Sequence, residues 1–111
     1  MFHQFTNDKN YKNSEGSINK DQLSKFIKFI GKKNILNADD FLNRFKENKL
    51  KKNEICLTFD DGLKCQYEIA LPVLEDFQIK SFYFIYTSAY DTKPDLLEVS
   101  RYFRINFFKN T

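Results

Sequence analysis

The chain has 111 residues, enough for one domain at most and well short of the ~250 typical of an α/β-barrel enzyme. Aromatic residues make up 17% of it, with 13 Phe and 6 Tyr, so material for a core is present. The net charge is only +3 and the lysines are interspersed with acids, a pattern that describes a solvated surface and argues against a nucleic-acid groove.

In chain order, Met1 to Phe5 reads as a short strand with His3 and Gln4 near its end. Residues 6–18 are rich in Asn, Lys, Ser, Asp and Gly without a period, and read as a loop. Asn19 is placed to cap a helix over residues 20–30. Leu23, Phe26, Ile27 and Ile30 form one apolar stripe on it, and Gly31 follows where a terminating glycine belongs. Asn37 is placed to cap a second helix from Ala38 to Asn48, with Phe41, Leu42 and Phe45 expected on its buried face. Asp39 and Asp40 fall in its first turn, where negative charge suits the helix dipole, which accounts for them without catalysis.

A charged connector from Leu50 to Glu54 leads into Ile55-Cys56-Leu57-Thr58-Phe59-Asp60-Asp61-Gly62. The unbroken apolar run predicts a strand buried on both faces. Asp60 and Asp61 then stand at its C-terminal end, where α/β folds place their chemistry. The same Asp-Asp-Gly also reads as a plain polar turn, and composition alone favours the turn. Between Gly62 and Phe77, Tyr67, Ala70, Leu71, Leu74 and Phe77 share a helical face, but Pro72 interrupts it. A loose turn from Cys65 to Ile69 and a firmer helix from near Leu71 reconcile the two. Gln78 to Lys80 is a turn, and Ser81 to Tyr86 is a second, aromatic strand, which completes a βαβ unit and an α/β class. Thr87 to Pro94 reads as a loop. A last helix from Asp95 carries Leu96, Leu97, Val99, Tyr102, Phe103, Phe107 and Phe108 around more than one face.

Cys56 is expected buried in the strand and Cys65 partly exposed after the turn; their spacing is neither a redox nor a zinc motif. No stretch has transmembrane length and no basic region precedes an apolar run at the N-terminus. A cytoplasmic protein with neither membrane nor nucleic-acid partners is therefore expected.

Leu57-Thr58-Phe59-Asp60-Asp61-Gly62, Ala70-Leu71-Pro72-Val73-Leu74 and Ser81-Phe82-Tyr83-Phe84-Ile85 together resemble the polysaccharide deacetylases of carbohydrate esterase family four. The region before them is similar to a branch of that family whose chains open with a short His-containing strand and two helices. The resemblance implies a partial (β/α) barrel of the glycoside hydrolase and deacetylase type, truncated after its first strands. It implies metal-dependent hydrolysis of N-acetyl or O-acetyl groups on a carbohydrate. Asp60 is then the general base and Asp61 a ligand of a divalent metal, zinc in many members, while Gly62 lets the backbone turn.

His3 joins the metal ligands if its strand joins the barrel; an ordinary structural or exposed histidine is the alternative. In the family, two further ligands come from a later His-Ser/Thr-x-x-His motif, and another histidine serves as general acid. His3 is the one histidine in this chain, so those parts are not within it. An incomplete and inactive site is expected for the isolated chain. The alternative function is a non-catalytic interaction module, or a split-enzyme subunit whose surplus apolar surface meets a second polypeptide that completes the barrel.

Overall fold

The computed structural model describes residues 1–85 and Thr87. The elements in order are α1 (Lys20–Ile30), α2 (Ala38–Lys46), β1 (Thr58–Asp60), α3 (Leu71–Asp76) and β2 (Phe82–Phe84). A 3₁₀ turn spans Lys32–Asn34, and a π-helical turn at Gln66–Ala70 runs into α3. The expected loop and helix beyond Thr87 lie outside the described residues.

β1 and β2 are parallel neighbours, with Thr58 opposite Phe82, Phe59 opposite Tyr83 and Asp60 opposite Phe84. Helical chain connects them, so the βαβ unit and the α/β class hold. Of the expected partial barrel, the described residues contain two parallel hydrogen-bonded strands and isolated bridges. One of those bridges sets Phe2 beside Phe59 on the other edge of β1. Phe2 N donates to Thr58 O at 2.8 Å, and Asp60 N donates to Phe2 O at 3.0 Å. Beyond it the N-terminal segment leaves β1, since Gln4 O accepts from Ile18 N at 3.2 Å and Thr6 N donates to Ile18 O at 3.0 Å. The expected strand over Met1–Phe5 is thereby reduced to single bridged residues.

β1 is shorter than the apolar run predicted, and its burial alternates. Leu57 and Phe59 are 2% and 0% exposed, whereas Cys56, Thr58 and Asp60 are half-buried. Successive side chains on a strand face opposite ways, so the described helices cover one face of β1 rather than both. On the covered face the Phe59 ring stacks at 5.4 Å from Phe2, 5.9 Å from Phe5 and 5.0 Å from Tyr83. Phe2 in turn meets Phe26 of α1 edge-on at 5.4 Å. Offset and edge-on aromatic contacts of this kind add about 0.5–1.5 kcal/mol each beyond area burial.

α1 forms as its sequence predicts. Gln22 N donates to Asn19 Oδ1 and Asn19 N donates to Gln22 Oε1, a reciprocal cap. Gly31, at φ 86°, donates from its N to Ile27 O and ends the helix. Leu23 and Ile27 are fully buried, while Phe26 keeps 38% of its surface exposed.

α2 departs from expectation. It buries none of its residues, and Leu42 and Phe45 are 38% and 65% exposed. Asn37 stands at its N-cap position, where its backbone O accepts from Phe41 N at 2.9 Å, but its side chain bonds no helical N–H; its Oδ1 accepts from Lys80 N at 2.8 Å, and Ala38 N donates to Lys80 O at 2.9 Å. The asparagine thus ties the start of α2 to the turn before β2. Arg44 of α2 also pairs with Glu54 of the charged connector.

The segment after Gly62 is helical from Lys64, earlier than the expected loose turn. A π-helical turn bonds i to i+5 and so inserts a residue ahead of Pro72, whose missing N–H is accommodated at the second position of α3. The extra residue also rotates the upstream face. Cys65, Gln66, Ile69, Ala70, Val73 and Leu74 are buried, and Tyr67, expected inside, is 70% exposed. The two cysteines are likewise exchanged relative to expectation: Cys65 is 6% exposed and Cys56 half-buried. Among the described residues no helix is long and apolar enough to cross a membrane.

Candidate functional site

Asp60 is the last residue of β1, and Asp61 and Gly62 make the turn that follows. Both turn residues adopt the left-handed conformation, at φ 74° and 60°. A glycine does so freely, but an aspartate there is strained by about 1–2 kcal/mol, reduced by the tolerance of Asp for this region. Strain at such a position is held by its surroundings and gathers where geometry serves function. Space is also tight there, because an added Cβ would lie 3.3 Å from Ile85 Cγ2 and that side chain would have to give by a few tenths of an ångström. The expectation that Gly62 permits the sharp turn is met.

His3 arrives from the other edge of β1. The bridge at Phe2 brings it level with the end of the strand, and its Nδ1 lies 3.2 Å from Asp61 Oδ2. In the tautomer protonated at Nδ1, the ring donates to that carboxylate. Its Nε2 is 3.9 Å from Asp60 Oδ2. The three side chains are partly open to solvent, at 43% for His3, 24% for Asp60 and 23% for Asp61. The fold therefore gathers all three residues singled out from the sequence at one strand end, over a separation of 58 residues.

Gln66, which sequence reasoning passed over, lies directly beneath. It is 1% exposed, and its Nε2 donates to His3 O at 2.8 Å and to Asp60 O at 2.5 Å. A signal for it exists in hindsight: Gln66 shares a helical spacing with Ile69, Ala70 and Val73, a polar residue in a buried stripe. The expected face, on Tyr67, Ala70, Leu71 and Leu74, is phased one residue later.

Neighbouring contacts brace this end. Phe5 N donates to Cys65 Sγ at 3.4 Å, and burial pushes the Cys65 thiol up from its usual value, so it stays a neutral acceptor. Tyr11, in the loop 6–18, donates its hydroxyl to Glu68 Oε2 at 2.7 Å. Desolvation first, and that hydrogen bond second, push the Tyr11 hydroxyl up to about 12. Glu68 also pairs with Lys64 at 3.3 Å; the Tyr11 hydrogen bond, then Lys64, hold its carboxyl below the usual range.

Asp61 and His3 offer one oxygen and one nitrogen donor, the atoms that zinc and similar cations take. In kind they fit a divalent metal. In number they do not complete a site, for among the described residues no group of three such side chains is arranged to hold one. Adjacent carboxylates and an imidazole at a partly open strand end are equipped to bind a cation and to exchange protons with water.

Residues 47–102, just over half of the chain, match the family model for polysaccharide deacetylases. No curated protein matches. Among solved structures, the chain is similar to a de-N-acetylase from Aggregatibacter actinomycetemcomitans, with a TM-score of 0.62 at 20% sequence identity. The likeness covers 83% of this chain and 38% of the de-N-acetylase, and at that identity it speaks for the fold. With the Thr-Phe-Asp-Asp-Gly turn inside the matched region, the chain belongs to the polysaccharide deacetylase family.

Proposed function

We propose that this chain carries the aspartate-bearing part of a metal-dependent site that removes acetyl groups from a carbohydrate, and that β1 and β2 are strands of a (β/α) barrel. The observation that carries the reading is the meeting of His3 with Asp60 and Asp61 at the end of β1, in a chain with a single histidine. Asp61 and His3 are the protein donors for the cation. A catalytic zinc usually has three protein ligands, so a further donor is required beyond these two.

When bound, a divalent cation polarises the acetyl carbonyl and makes water more acidic. The work of the chain's own residues is distinct from that. Asp60, half-buried at the strand end, is the general base: its carboxylate accepts a proton as water attacks the acetyl carbon. Asp61 keeps its carboxylate turned toward His3 through its left-handed backbone. Phe84, opposite Asp60 in register and 57% exposed, offers an apolar ring on the neighbouring strand end.

The test is acetate release from N-acetylated oligosaccharides by the purified chain with added zinc or cobalt, beside Asp60→Asn. Because the described donors stop at two, release no higher than that of the variant is expected from the 111 residues alone. Metal-dependent release abolished by Asp60→Asn would support the deacetylase reading and overturn the incompleteness of the site. Release unaffected by Asp60→Asn would remove Asp60 as the base.

A further inference from the structure

The N-terminal segment and β1 begin as a parallel pair, and the ladder does not run on. With Phe2 opposite Phe59, the register calls next for Gln4 N to donate to Asp60 O. Instead, Asp60 O accepts from the Gln66 side chain at 2.5 Å, and Gln4 turns away to Ile18. The same Nε2 also donates to His3 O at 2.8 Å. One side-chain amide thus takes the place of the missing backbone donor and holds both chains where they part. The parting is where the side chains of His3, Asp60 and Asp61 face one another.

A glutamine is a costly residue for that place. It is 1% exposed on a helical stretch whose Ile69 and Ala70 are buried too, and its Oε1 has no hydrogen-bond partner among the described residues. An unpaired buried acceptor costs on the order of 1–3 kcal/mol, and an apolar side chain of similar volume would avoid it. The reverse orientation of the amide is excluded, since Oε1 would then face two carbonyl oxygens. Packing alone therefore does not account for Gln66. Two carbonyls held from one nitrogen fix the distance between residue 3 and residue 60.

We propose that Gln66 is a positioning residue: by holding the carbonyls of His3 and Asp60 together, it sets the His3 ring against the Asp61 carboxylate. The proposal rests on the reading above that these side chains form one site. It goes beyond it by assigning the site's geometry to a residue on the following helix that touches neither substrate nor reacting atoms.

The test uses His3 as a lone reporter, because the chain contains one histidine and its ring resonances in an NMR spectrum are therefore unambiguous. In the 111-residue chain, Asp61→Asn is expected to displace the His3 ring nitrogen resonances. In a Gln66→Met background, which keeps side-chain length and removes the donor, the same Asp61→Asn substitution is expected to leave them unmoved. Thermal unfolding confirms that each variant compared is folded. A displacement of undiminished size in the Gln66→Met background overturns the positioning role alone and leaves the pairing standing. No displacement in the parent chain overturns the pairing, and the positioning role with it.

If Gln66→Met does not fold, hydrogen exchange of the side-chain amides in the parent chain decides. The Gln66 NH₂ should exchange at least about tenfold more slowly than that of Gln22, whose side chain is exposed and uses only its oxygen as an acceptor. Equal rates overturn the proposal. Neither readout depends on catalysis, so a failure of the deacetylase reading would not be mistaken for a failure of this one.

Discussion

On one side of β1 lies β2, matched over three residues, with Tyr83 stacked on Phe59 and Phe84 and Ile85 left open. On the other lies the N-terminal segment, matched at Phe2 alone and then diverging under the control of a buried amide. The first edge is held by backbone ladder and ring stacking, which tolerate small displacements. The second also stacks rings, Phe2 and Phe5, on Phe59, but its backbone pairing is a single bridge, and the directional hydrogen bonds of Gln66 are what it has in addition; it is the edge that brings His3 to the carboxylates. The contrast separates two tasks: aromatic burial keeps the sheet together, while a polar clamp sets the geometry of the site.

Substitutions can break this division at each edge. The largest effect is expected at Phe59, fully buried and stacked on rings from both sides. Phe59→Ala should cost about 3–5 kcal/mol in urea unfolding; a loss under about 1 kcal/mol would mean that the rings do not unite the two edges.

Gly62→Ala comes next, with about 1–2 kcal/mol expected from its left-handed φ, and more from the approach of Ile85. Because that approach is from the β2 side, Ile85→Ala in the same chain should relieve part of the loss. Simple additivity of the two changes would contradict the contact.

The smallest effect concerns pH and the N-terminal edge. The Tyr11 hydroxyl, at about 12 in the folded chain against a usual 10.0, holds its proton more tightly folded than unfolded. Its contribution to stability is therefore complete below pH 10 and is lost as the pH rises through 12. The stability difference between the parent and Tyr11→Phe should shrink across that interval, and a difference independent of pH would show that the phenol is not held by Glu68.

The parts of this fold that were readable in the sequence are those decided within a few residues. The cap of α1 is such a case, since Asn19 and Gln22 satisfy each other locally and the stripe of Leu23 and Ile27 has packing to match. The carboxylate pair closing β1 was readable as well, from an apolar run that ends at Asp60-Asp61-Gly62. α2 shows the limit. Its Phe41, Leu42 and Phe45 keep a helical period, yet the described residues place nothing over most of that stripe, and the side chain of the N-cap residue Asn37 is drawn to Lys80 instead of its own helix. Periodicity reports a possible buried face and not its partner. Before Pro72 a stripe on Tyr67, Ala70, Leu71 and Leu74 competes with one phased a residue earlier, on Gln66, Ile69, Ala70 and Val73, and apolar content alone favours the one without the glutamine. His3 was visible as a lone histidine, but its place beside Asp61 depends on a bridge between Phe2 and Phe59, which no local pattern encodes.

The proposed cation site depends on His3 and Asp61 converging at the end of β1 as its donors. Titration of the chain with cobalt(II), followed at the resonances of its single histidine, tests this most directly. The expected result is that the His3 ring shifts and broadens before the rest of the spectrum, and that Asp61→Asn abolishes the effect. A His3 ring indifferent to cobalt, or equally responsive without the Asp61 carboxylate, would contradict it.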